Sequence, residues 1–247
     1  MTSCSRGVIL VMDHGDMTDV EHVRGEQAAP SRERFSRAWF VVLAVVVTAS
    51  LIGQVILLVR SGSDVNAAAS EQGVSMGVRF GRLVSYFTIE SNLLVLAAAV
   101  SLILGPGRDG RGWRVLHLDA LLGIVITGLV FGIVLAGQVH HTGFAVWVNA
   151  GLHYFAPWWA LAGWLLFGPR PRIGWSAIAW AFVWPIAWIG YIFLHGAVTG
   201  WYPYPFMNAH THGYAVAVRN TAIVVVLGAV IALVLKALDG RLPTIRR

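Results

Sequence analysis

Long apolar runs, each with few polar positions, recur six times along the chain, at approximately residues 38–59, 83–104, 115–137, 144–167, 173–195 and 215–238. Each reaches the roughly 20 residues a helix needs to cross about 30 Å of hydrocarbon. The separators are turn-forming and charged: Gly105-Pro106-Gly107 through Arg114 closes the second run, and Gly168-Pro169-Arg170-Pro171-Arg172 closes the fourth. The pattern predicts an all-α polytopic integral membrane protein, a bundle of six transmembrane helices filling residues 35–240. Its first run is too long for the roughly 7 to 15 residues of a signal-peptide core, so it reads as a retained span. Residues 1–34 are polar and lack periodicity, which predicts a disordered cytoplasmic tail. Residues 241–247 read as a short basic cytoplasmic tail.

Composition agrees with this. Hydrophobic residues make up 57% of the 247 and charged residues only 12%, about half the roughly 25% charged share of soluble domains. Both a water-soluble domain and a disordered chain are excluded. Of the 18 basic residues, fourteen fall on the side of the termini and three on the opposite side, which predicts cytoplasmic termini in a cell-membrane protein. No five basic residues run together, so the net charge of +6 reads as a topology signal and no nucleic-acid partner is expected. A single cysteine, Cys4, leaves no disulfide framework, cysteine-rich zinc site or cysteine-ligated iron–sulfur cluster; a metal would need histidines. No internal repeat supports an inverted-repeat transporter. Gly128 and Gly132 in the third run predict close helix approach. Trp180, Trp184 and Trp188, at every fourth position of the fifth run, read as packing or lipid contact.

Polar residues inside the runs carry the candidate chemistry, because hydrocarbon makes each of them costly. At about 1.5 Å of rise per residue, Thr88 lies roughly 8 Å from the outer surface, Glu90 roughly 11 Å, His153 roughly 14 Å and Arg219 roughly 6 Å. Four polar groups from three helices therefore share the outer half. A neutral imidazole within about 3 Å can take the proton of a threonine hydroxyl during attack on an ester carbonyl, so Thr88 and His153 form a candidate dyad. The alternative is that Thr88 bonds its own helix's carbonyls and His153 a neighbouring helix. Asn149 shares a helical face with His153 and is positioned to orient it, whereas Asn92 or Tyr86 would serve a developing oxyanion. Glu90 and Arg219 read either as an interhelical salt bridge or, through Arg219, as an anchor for a substrate carboxylate. Asp119 and His117 lie near the cytoplasmic edge, too distant to complete a triad.

The stretches Tyr86-Phe87-Thr88-Ile89-Glu90-Ser91-Asn92-Leu93-Leu94, Leu152-His153-Tyr154-Phe155-Ala156-Pro157 and Gly200-Trp201-Tyr202-Pro203-Tyr204-Pro205-Phe206 resemble the bacterial branch of the androgen-induced-gene-like family of six-span membrane proteins. The resemblance covers residues 35–240. It implies a cofactor-free threonine hydrolase of fatty acid esters of hydroxy fatty acids, with Thr88 as nucleophile and His153 as base. Where relatives often carry glutamine, this chain has Glu90. A lipid or fatty-acyl ester entering from the outer leaflet is the expected substrate, alongside membrane lipids. Trp201, Tyr202 and Tyr204 are expected to form a lid, with an aromatic belt loop as the alternative. Two other classes stay open. His140, His141, His195, His210 and His212 gather toward the outer side and would suit a metal-handling or proton-coupled transporter, and a noncatalytic scaffold would need none of these residues.

Overall fold

The computed structural model describes residues 16–67, 73–170 and 172–243, with side chains from residue 32 onward. Among the described residues the chain is helical throughout, and five helices are long and apolar enough to cross a membrane: Arg32–Ser61, Phe87–Leu104, Arg111–Gln138, Trp175–Thr199 and Tyr214–Arg241. The remaining expected run, 144–167, is also an unbroken helical stretch. Trp147, Asn149, His153, Tyr154, Pro157, Trp158, Trp159 and Trp164 lower its hydropathy, which is why length and apolarity do not single it out.

Helix α1 spans Asp16–Ser61. Its helical backbone thus begins inside the segment expected to be a disordered tail; residues 1–15 and 244–247 lie outside the described residues. The second run is not one helix. α2 (Met76–Ser85) ends at Tyr86, whose backbone is extended (φ −73°, ψ 126°), and α3 (Phe87–Leu104) starts directly after it. α4 (Arg111–Val130) continues through a π-helical turn at Phe131–Leu135. α5 (Phe144–Ala150) and α6 (Ala156–Phe167) are joined by a second π-helical turn, Gly151–Phe155. α7 (Trp175–Ala181) and α8 (Val183–Thr199) form the fifth run with a break at Phe182, and α9 (Ala209–His212) precedes the long α10 (Tyr214–Arg241).

α4 is the central rod: it packs against α3, α6, α7 and α10. Of the most apolar 18-residue stretch, 56% is buried within the protein in Arg111–Gln138, against 17% in Trp175–Thr199 and 22% in Tyr214–Arg241, so the last two long helices are peripheral. Their outward faces, with Val183, Ile186, Leu194, Ile223, Val226 and Val230, form the apolar surface expected of lipid-facing helices.

Close helix contacts depend on small residues. A Cβ on Gly151 would overlap the Ser50 hydroxyl of α1, so only glycine lets the second π-turn rest against α1. Gly128 touches Pro157 in the expected close-approach manner, with a built Cβ 2.8 Å from the proline ring, but Gly132 meets no neighbour. Trp39 and Trp159 stack at 3.9 Å and each indole donates to the other's backbone carbonyl at 3.1 Å, pinning α1 to α6. At the end of the bundle carrying the basic loops, Asp109 accepts from Arg114 at 2.8 and 2.9 Å and pairs with Arg172 at 2.9 Å. Asp239 of α10 accepts the backbone N–H groups of Arg172 and Ile173 at 2.6 and 2.8 Å.

Candidate functional site

The break at Tyr86 places Thr88 in the first turn of α3 instead of partway down a continuous helix. Backbone N–H groups of a first turn have no intrahelical acceptor. The Thr88 N–H donates instead to the Tyr204 hydroxyl at 3.2 Å, and the same phenol lies 3.3 Å from Thr88 Oγ1. On its other side, Thr88 Oγ1 is 3.4 Å from His153 Nε2. That contact is longer than a typical hydroxyl hydrogen bond and has to shorten before a proton can pass. Thr88 is 3% exposed and His153 1%, so water is nearly excluded from both.

His153 sits in the second π-helical turn, and its ring stacks on Phe131 of the first, centroids 3.9 Å apart. π-turns re-aim side chains by inserting a residue into the helical register; two of them here set a histidine and its stacking partner face to face. His153 Nδ1 is buried without a hydrogen-bond partner, although the Asn149 backbone lies beside the imidazole. Asn149 therefore meets His153 through its backbone, while its Oδ1 is unpartnered. Asn92 does not face a reacting centre. Its amide donates to the carbonyls of Thr88 (2.8 Å) and Leu152 (3.3 Å), tying the helix of the threonine to the turn of the histidine. Tyr86 is buried edge-on against Trp201 and Tyr204 and does not line the cavity described below.

The expected pairing of Glu90 with Arg219 is absent. Glu90 Oε2 accepts from the Trp184 indole at 2.7 Å, and Arg219 is exposed on α10 with only a 3.3 Å contact to Asn220. The first turn of α3 explains how Glu90 does without a cation, because the positive end of a helix favours a carboxylate there. Arg219 does not line the cavity, so neither sequence reading of it fits the structure. The tryptophan stripe divides by function: Trp184 holds Glu90, Trp188 donates to the Ser85 carbonyl at 3.1 Å, and Trp180 faces outward, 62% exposed.

Thr88 opens onto an apolar cavity walled by α4, α7, α8 and α10 and roofed by Tyr204, Phe206 and Met207. α8 and α10 contribute opposite stretches of its lining, and the cavity is partly open to the outside. Of the three expected lid residues, only Tyr204 covers this space. Tyr202 wedges its ring against Gly196, and Trp201 covers Arg82 with the guanidinium 5.3 Å above its ring. Burial, the largest influence on the Tyr204 phenol, raises it to about 12, so this loop residue keeps its proton at neutral pH.

No protein-family model, curated protein or solved structure matches the chain.

Histidines toward the same end of the bundle do not converge. His140 and His212 are exposed, His195 contacts Thr199 within its own helix, and His210 approaches the Gly196 carbonyl at 3.4 Å. Among the described residues no three His, Cys, Asp or Glu side chains come together to hold a metal. Sequence reasoning missed two contacts, the Tyr204 phenol on Thr88 and Phe131 on His153. Proline on both sides of Tyr204 marked a stiff loop but not its direction, and nothing in the sequence marked Phe131.

Proposed function

We propose that the chain is an intramembrane threonine hydrolase of lipid esters, consistent with the family resemblance of its motifs, with six spans and both termini in the cytoplasm. One observation carries the reading: a threonine hydroxyl within reach of a buried imidazole, at the wall of a partly open apolar cavity. An ester-bearing lipid enters from the outer leaflet between α8 and α10. His153 Nε2 accepts the Thr88 hydroxyl proton as Oγ1 attacks the ester carbonyl carbon. This needs the tautomer with hydrogen on Nδ1. The carbonyl oxygen becomes an oxyanion, and Tyr204 O–H, already beside Oγ1, turns to donate to it. His153 returns the proton to the departing alkoxide, leaving acyl-threonine. Water then attacks with the same histidine as base, the acid leaves, and Thr88 regains its hydrogen.

Purified full-length protein treated with a fluorophosphonate is expected to label at Thr88. The label should be lost in Thr88→Ala and in His153→Ala. Labelling that persists in both variants overturns the dyad.

A further inference from the structure

Away from Thr88 the cavity continues along α4, and its far end carries a carboxyl group. Asp119 lines that end, is 8% exposed, and its Oδ1 is buried without a hydrogen-bond partner. Between the two ends Thr127 also lines the wall, 5% exposed, with Oγ1 unpartnered. The other hydroxyl on the wall, Thr221, is satisfied by the Ala217 carbonyl at 2.8 Å. Everything else lining the space is aliphatic, aromatic, methionine, glycine or proline, apart from the Tyr204 phenol and Thr88 at the reacting end. No cation lines it, so no side chain on this wall completes Asp119.

An unsatisfied carboxyl beside apolar surface is costly, and native structures keep such a group where something else completes it. Phe131, level with the dyad, and Asp119 lie twelve residues apart on one continuous helical rod, so the two ends of the cavity are separated by roughly 18 Å. That is the span of a long acyl chain. The completing group has to arrive on the chain itself. An ammonium would have to be stripped of water in an otherwise apolar tube, at a far larger cost than a hydroxyl. A hydroxyl can donate to the carboxyl and sheds its water more cheaply.

We propose that the cavity takes a long-chain acyl group bearing a hydroxyl near its far end, with the acyl carbon at Thr88 and the hydroxyl on Asp119. This names the substrate class of the site proposed above and rests on Thr88 marking the reacting end. Asp119 acts as a specificity residue that measures chain length and rejects plain alkyl tails.

The test is competition binding on the detergent-solubilised full chain, with ω-hydroxypalmitate and palmitate each displacing tritiated ω-hydroxypalmitate. The hydroxy acid is expected to bind at least about tenfold tighter, equivalent to about 1.4 kcal/mol. Asp119→Leu should abolish that preference and let palmitate bind at least as well as it does to the unaltered protein. Asp119→Asn, which can still accept a hydrogen bond, should keep part of it. Equal binding of the two acids by the unaltered protein, no binding of either, or a preference that survives Asp119→Leu overturns the proposal. Neither ligand has an ester bond, so the outcome does not depend on hydrolysis. Failed fluorophosphonate labelling with an intact hydroxyl preference would remove the dyad and leave the hydroxyl site standing.

Discussion

Replacing Tyr204 by phenylalanine removes one oxygen and separates two roles of that oxygen. The ring stays packed among Tyr86, Trp188 and Phe206, so little volume is lost. What disappears is the acceptor 3.2 Å from the Thr88 N–H and the donor 3.3 Å from Thr88 Oγ1. The N–H belongs to the first turn of α3 and has no carbonyl to turn to, so its orphaning should cost about 1–3 kcal/mol of stability. If the phenol also serves the oxyanion, its loss should slow the chemical step by about 10²–10³-fold. Stability is read by denaturant titration in micelles followed by circular dichroism, and chemistry by the rate of fluorophosphonate labelling at Thr88. Tyr202→Phe is the matched control, a buried phenol of the same loop that does not touch Thr88. A Tyr204→Phe protein that is destabilised but labels at the unaltered rate would show that the phenol only caps α3, and the oxyanion assignment would fail.

Arg219→Ala is expected to leave labelling and hydroxy-acid binding within about twofold of the unaltered protein, because the side chain is exposed and off the cavity wall; a large loss of either would restore it as a ligand anchor. Gly151→Ala should destabilise by about 1–3 kcal/mol through overlap with the Ser50 hydroxyl, measured by the same denaturant titration. Adding Ser50→Ala should recover part of that loss, and an additive double variant would refute the contact. His141, in the loop before α5, is held below its ordinary value of 6.5, chiefly by burial. A lowered histidine binds its proton more readily when unfolded, so its contribution is complete above about 6.5 and is lost as pH falls below that. Thermal midpoints should therefore decline between neutral pH and about pH 5, and less steeply in His141→Gln; parallel profiles would assign the decline to other groups.

The sequence revealed the helices for one reason: hydrocarbon demands long apolar stretches, and those cannot be hidden. It also placed Thr88 and His153 at similar depth, since depth follows from counting residues along a rod. Counting does not give azimuth. Depth alone pairs Glu90 with Arg219, yet one turns to Trp184 and the other is exposed on α10. Asp119 lies twelve residues from Phe131 along the same rod, too far to join the dyad. What the count could not show is that one cavity runs past both groups. The break at Tyr86 was equally hidden, because the apolar pattern of Leu83, Val84, Tyr86 and Phe87 passes through it without a proline or glycine.

The two π-turns show why the site resists reading from sequence more than the fold does. A π-turn is a packing solution, and nothing in Phe131–Leu135 or Gly151–Phe155 resembles a break in helical propensity. Each inserts one residue into the register of a helix that touches the other, and the result is that His153 faces Phe131 on one side and Thr88 on the other. Had both helices stayed regular, every residue beyond each turn would be rotated by about 100° about its axis, and the imidazole would leave the threonine. The dyad therefore depends on contacts such as Gly151 against Ser50 that hold the turns in place. Gly151→Ala should then lower the labelling rate along with stability, although Gly151 is neither Thr88 nor His153 and acts through Ser50.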